Sequence, residues 1–260
     1  MKEAIDDQEM TFWDHLEAFR WMLMRSVIVL TIMMVVVFLM KDWVFDVIFA
    51  PKSSDFFVYH WIDKLGSMFF IHSLRITPFN LHLVNFELTG QFMTHLSVAF
   101  WLGLILSFPY FAYELWRFVS PALYPNEKRP VVWTFLSGGI LFFIGVAISY
   151  VLIFPVAVHF FYRYQISPDV QNLISLSSYI SLFTTTLVSI GAVFELPIVV
   201  YLLSRLGILK RSFMRKYRRH AIVVIFIVAG IITPADPFTM LAVCFPLVLL
   251  YEASIYVCKK

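Results

Sequence analysis

An all-α, polytopic membrane protein with six transmembrane helices is predicted by three features of this chain. Of its 260 residues, 60% are hydrophobic and 14% charged, whereas charged residues make up about a quarter of a soluble domain. The apolar residues fall in runs long enough to cross a hydrocarbon core of about 30 Å as helices, the form in which a chain satisfies its own backbone groups there. The basic residues gather on one side of those runs. The first run follows Glu3, Asp6, Asp7, Glu9, Asp14 and Glu17, with no small-residue cleavage site after it, so it reads as a retained span and not a removable signal peptide.

In order, the first span is expected from Met22 to Met40, the second from Gln91 to Tyr113 and the third from Val131 to Tyr162. The fourth runs from Val170 to Ser204, interrupted only by Glu195. Two short final spans follow, Ala221 to Ile232 and Phe238 to Val257; the fifth is too short to cross upright and calls for local thinning or a covering neighbour. Between the first two spans, Lys41 to Gly90 reads as a cap of short helices on the outer face, and "TPADPF" from Thr233 turns the chain between the last two. No repeat or linker divides residues 1–260, which read as a single integral membrane domain.

Even numbers of spans put both termini on one side, and the basic residues say which. Fifteen of the twenty Lys and Arg fall on one face, among them Arg20, Arg25, Arg117 and seven in the run from Arg205 to Arg219. The positive-inside rule makes that face, with both termini, cytoplasmic. The basic run orients the protein and touches anionic lipid. Cys244 and Cys258 are fourteen positions apart in one apolar segment, roughly 21 Å along a helix, so they do not pair with each other.

Four places stand out. Glu195, in "AVFELPIVV", is ten residues before Arg205, which sets an ionisable carboxylate near the bilayer midplane, where it marks a functional site; Pro197 removes a backbone donor beside it. The connector "YELWRFVSPALYPNEKRP", from Tyr113, holds three prolines and offers carboxylates among basic residues: Glu127 first, Glu114 second. A proline-stiffened shelf bearing a carboxylate suits a basic ligand, since a guanidinium engages both oxygens. "TFWDHLEAFRWMLMR" reads as an amphipathic interfacial helix capped by Thr11, with Glu17 and Arg20 as an exposed ion pair. Ser137, in "FLSGG", has small neighbours but no G-x-S-x-G pattern, and His95 and His159 read as satisfied by neighbours. No enzyme, cofactor, metal or nucleic-acid role is expected. A proton-coupled small-solute transporter with Glu195 as its carrier stays open beside a protein-translocation role, as does, more remotely, a protease at Ser137.

Several motifs in order carry a resemblance over nearly the whole length: "HLEAFRWML", "FAPKS", "FVSPALYPNEKR", "FFIGVAISYVLIFP", "SIGAVFELPIVVYLL", "ITPADPF" and "LLYEASIYV". In these the chain resembles the TatC family, the signal-receptor subunit of the twin-arginine protein translocase. The resemblance implies a glove-shaped six-helix bundle whose concave face holds Glu195, in a bacterial cytoplasmic membrane. It implies that twin-arginine signal peptides bind at Glu127 with Phe118, Pro121 and Leu123, and at Glu17 and Arg20, and that Pro51, Thr233 and Asp236 matter on the outer side. It further implies partner subunits TatA and, in many bacteria, TatB, a homo-oligomer within a larger complex, and export of folded proteins driven by the proton-motive force. The family pattern H-L-x-E-L-R-x-R is departed from here, with Glu17 one residue early and Met22 in place of the second arginine. Met240 stands where many relatives carry a polar residue.

Overall fold

The computed structural model describes residues 12–61, 81–119, 125–167, 169, 172–205, 207–233 and 237–258, with 12, 119, 125–135 and 238 described by backbone alone. Ten helices account for most of it. α1 (Phe12–Leu39) runs 28 residues, about 42 Å. The expected interfacial helix and first span are therefore one unbroken rod, because no proline, glycine or capping residue interrupts Phe12 to Leu39. Met40 turns the chain into α2 (Lys41–Phe49), and a 3₁₀ turn (Ala50–Lys52) with Pro51 follows. α3 (Gly90–Val119) extends past the expected end at Tyr113, and α4 (Pro125–Ile148) starts before the expected Val131. Pro125 at the first helical position costs no hydrogen bond, so the connector is mostly helix end and helix start.

The third span carries a π-turn, Ser149–Ile153, before α5 (Phe154–Arg163). Pro155 explains it: the ring has no N–H for the carbonyl of Val151, and an extra residue takes up the mismatch. The fourth span starts at Leu176, six residues later than expected, since Ser175 caps α6 (Leu176–Val193) by accepting from Ser178 N at 3.2 Å. It is then broken at Phe194 and Glu195 before α7 (Leu196–Arg205). Pro197 cannot donate to Val193, and α6 ends at that residue. A short α8 (Arg211–Lys216), then α9 (Arg218–Ile232) and α10 (Pro237–Val257), complete the chain.

Among the described residues, five helical stretches are long and apolar enough to cross a membrane: Trp13–Leu39, Gly90–Phe118, Leu136–Arg163, Leu176–Arg205 and Thr239–Val257. The expected fifth span corresponds to α9, whose 15 residues reach about 22 Å. Strand was not expected, yet β1 (Leu83–Val84) pairs in parallel with β2 (Ile174–Ser175), tying the outer segment to the start of α6.

The helices pack as a row: α1 on α3, α3 on α4 and α6, α4 on α6, then α10 on α7 and α9, with α7 also touching α4 and α9 touching α6. One core joins Val37, Val98, Ile105, Phe142, Phe154 and Phe183, with the Phe108 and Phe142 rings stacked at 3.7 Å. A second gathers Ile190, Phe194, Ala229, Val243 and Leu247. The α1 stretch is only 6% buried; Val27, Ile28, Ile32 and Val35 face outward, as lipid-facing residues do. Where α1 meets α3, a Cβ at Gly103 would lie 2.9 Å from the backbone nitrogen of Met34, so the two helices touch backbone to backbone.

Candidate functional site

Two carboxylates within the bundle, one buried and one half-buried, are treated differently. Glu114, on α3, is 2% exposed. Arg25 of α1 donates from Nε to Oε1 at 3.0 Å and from Nη2 to Oε2 at 2.8 Å, and the Tyr110 hydroxyl adds a bond to Oε1 at 2.9 Å. This two-pronged pairing fits a planar guanidinium and rigidly joins α1 to α3. The second connector candidate is thus already bound to an arginine of its own chain.

Glu195 occupies the break between α6 and α7. Its carbonyl receives Ile198 N at 3.0 Å and Val199 N at 3.1 Å, restarting the helix. Its Oε1 is shielded from solvent and meets no hydrogen-bond partner among the described residues. Glycines make room: a Cβ on Gly138 of α4 would lie 2.9 Å from Glu195 Oε2, and one on Gly145 would lie 2.7 Å from the Phe194 ring. The neighbouring residues Ser137, Ile140, Pro197, Ile198 and Tyr201 border a cavity of ≈ 320 Å³ between α4, α7 and the end of α10. Among the described residues no histidine borders that cavity.

At the other predicted patch, Phe118 near the end of α3 stacks on His15 at 4.3 Å and touches Phe19 at 5.7 Å between ring centroids, bringing the N-terminal motif onto the connector. The expected Glu17–Arg20 ion pair is absent among the described residues. Trp21 intervenes instead, its Nε1 donating to Glu17 Oε1 at 3.4 Å while Arg20 lies 5.6 Å from its ring centroid. The indole satisfies both charges, which leaves them exposed on the α1 surface. Glu127 is the third residue of α4, in its first turn. Pro121, Leu123, Thr11 and Asp236 lie outside the described residues.

On the side predicted to face outward, Pro51 is buried and its carbonyl accepts the Tyr59 hydroxyl at 2.9 Å; that hydroxyl also reaches Pro155 O at 3.2 Å. Burial raises the Tyr59 pKa above its ordinary value, so the phenol remains a donor. Thr233 closes α9 by donating to Ala229 O at 2.9 Å. His95 meets Phe38 O at 3.1 Å and stacks on the Phe38 ring, a packed histidine as expected. Sequence reasoning missed Arg25 and Tyr110. The spacing of Tyr110 to Glu114, one helical turn, was a signal for the latter; nothing local linked Arg25 to either. Among the described residues no group of three His, Cys, Asp or Glu is placed to hold a metal.

These features define a multi-pass helical membrane protein with an unsatisfied carboxylate at a break in a transmembrane helix. The family model of the Sec-independent protein translocase protein (TatC) matches residues 14–246. A TatC protein of Blattabacterium sp. subsp. Periplaneta americana is 36% identical over 97% of this chain and 96% of its own length. One from Carboxydothermus hydrogenoformans is 32% identical over 98% of this chain and 95% of its own. A crystal structure of a twin arginine translocase receptor, TatC, in DDM superposes with a TM-score of 0.75 at 27% identity, covering 95% of this chain and 100% of that one. The chain belongs to the TatC family of Sec-independent protein translocase subunits.

Proposed function

We propose that the chain is the signal-receiving core of a twin-arginine translocase in a bacterial cytoplasmic membrane, one integral domain with both termini cytoplasmic. It binds twin-arginine signal peptides, recruits TatA and, where present, TatB, works as a homo-oligomer, and exports folded proteins using the proton-motive force. The observation that carries this reading is the junction at the end of α3, where Phe118 gathers His15 and Phe19 beside the connector. Glu114 is committed to Arg25, so Glu127 is the connector carboxylate we assign to the ligand, with Phe118, Pro121 and Leu123 shaping its surroundings and Glu17 and Arg20 on the adjoining face of α1.

Partner spans dock, in this reading, where Glu195 and its cavity lie: an apolar helix carrying one polar side chain would fill the space and give Oε1 the partner it lacks. Pro51, Thr233 and Asp236 are assigned, in this reading, to the outer side, where they matter for transport.

The reading is tested by photo-crosslinking from position 118, and from a residue beside Glu127, to a twin-arginine signal peptide and its lysine-lysine counterpart. A crosslink confined to the arginine pair is expected; equal crosslinking of both peptides, or none, refutes it. Glu127→Ala is expected to weaken twin-arginine peptide binding at least tenfold, as loss of a charge-assisted hydrogen bond of about 1.5–3 kcal/mol implies, and to leave a neutral peptide unchanged.

A further inference from the structure

We propose that the turn between α7 and α8 binds the phosphate headgroup of an anionic phospholipid, and that a headgroup carrying two phosphates fits it best. The turn borders an open concavity of ≈ 860 Å³ lined by Arg205, Lys210, Arg211 and Arg215, with Ser204 and Ser212 between them. Among the described residues no carboxylate borders it. Arg205, Lys210 and Arg215 are exposed and Arg211 is half-buried, and four cations on one concavity repel each other unless an anion or water screens them.

The local carboxylate does not go to them. Glu252 pairs with Arg218 at 2.6 Å, and none of the four cavity cations has an ion pair among the described residues. Arg211 rests its guanidinium over the Tyr256 ring at 5.4 Å, but its Nε is shielded from solvent without a hydrogen-bond partner. Arg205 spends its Nε on the Tyr201 hydroxyl at 3.0 Å. The cavity therefore holds positive charge that no carboxylate among the described residues answers.

The backbone builds this concavity. Ile208 N bonds Leu203 O at 3.0 Å and Gly207 N bonds Ser204 O at 3.1 Å, a Schellman closure of α7, with Gly207 at φ 75° in the left-handed region that a side chain disfavours. The chain then doubles back into α8, anchored by Met214 in a small core with Val200, Ile255 and Leu209. Arg211, Ser212 and Arg215 border the cavity, and Ile208, Phe213 and Tyr217, their neighbours in sequence, are exposed. Cations with exposed apolar and aromatic residues beside them in the chain suit an amphiphile at a membrane surface, whose phosphate enters the cavity while its chains lie against those residues. A soluble anion would have no use for them.

The test uses the full-length protein in neutral nanodiscs and native mass spectrometry, with four probes: diphosphatidylglycerol, phosphatidylglycerol, phosphatidylcholine and soluble glycerol phosphate. One diphosphatidylglycerol per chain is expected to stay bound most firmly, phosphatidylglycerol less so, and the other two not at all. Arg211→Gln with Arg215→Gln should weaken retention roughly thirtyfold, and Lys210→Gln alone about fivefold, if each basic side chain contributes as it does at an anionic surface. Lys216→Gln, on the same helix but outside the cavity, is expected to stay within about twofold because that contribution falls off with distance. Unchanged unfolding temperatures in phosphatidylcholine nanodiscs show that the variants fold, and the Lys210 variant decides the matter if the double variant does not. Equal loss on Lys216→Gln would mean diffuse attraction to the basic loop. Equal retention of phosphatidylcholine, or displacement by glycerol phosphate at matched concentration, would likewise overturn the site.

Discussion

Glu114 and Glu195 are the same residue in similarly apolar helices, and the structure gives them opposite fates. Glu114 is the more deeply buried, yet it accepts three hydrogen bonds from Arg25 and Tyr110. Glu195 is only half-buried, yet its Oε1 has no partner among the described residues. Burial alone therefore does not separate a structural carboxylate from an available one. What separates them is satisfaction: a carboxylate answered by its own fold holds two helices together, and one left unanswered beside a cavity is a place for something else to bind.

The sharpest way to break the comparison is to part α1 from α3 without touching either carboxylate. Gly103→Val would press a branched side chain into the Met34 backbone and is expected to destabilise the bundle by about 3 kcal/mol, the upper end of overpacking, read by thermal unfolding in detergent. Next, Glu114→Ala should lower the unfolding temperature by more than Glu195→Ala does; if the two fall equally, the distinction drawn above is wrong. Pairing Arg25→Leu with Glu114→Leu should recover most of the loss, since apolar replacement of both partners removes the desolvation penalty that a lone partner would face.

For Glu195 the effect moves from stability to transport. Glu195→Ala is expected to cut export of a folded twin-arginine reporter at least tenfold, equivalent to about 1.4 kcal/mol, while Glu195→Gln retains more, because a side-chain amide still hydrogen-bonds a partner span. Equal inactivity of both would favour ionisation over hydrogen bonding. The smallest change is expected at Glu17, exposed and held only by Trp21 at 3.4 Å: Glu17→Ala should alter stability by no more than about 0.5 kcal/mol, so that any larger loss in signal-peptide binding is a direct contact effect.

Much of the fold is legible in the amino-acid sequence. The length and composition of the apolar runs locate the long helices, and Ala221 to Ile232 and Phe238 to Val257 fall within three residues of α9 and α10 at their starts. Glu195 is conspicuous because a lone carboxylate in "AVFELPIVV" has no local reason to be there. The errors sit where proline and capping act together. The π-turn before Pro155 and the start of α6 at Ser175 depend on one residue's missing or added hydrogen bond, and average hydrophobicity does not register that. The Glu17–Arg20 pair fails because Trp21, next in the chain, competes for both charges.

The sequence by itself determined that this chain lives in a membrane, where its long helices run and which residues are anomalous there, because those properties follow from sums over neighbouring residues. Only the tertiary structure decided that Glu114 is spent and Glu195 is not, that four cations of the basic run face one cavity, and that Phe118 meets His15. Arg25 and Glu114 are 89 positions apart; a pairing at that distance is set by how α1 lies on α3, where Gly103 lets the backbones meet, and no local pattern encodes it.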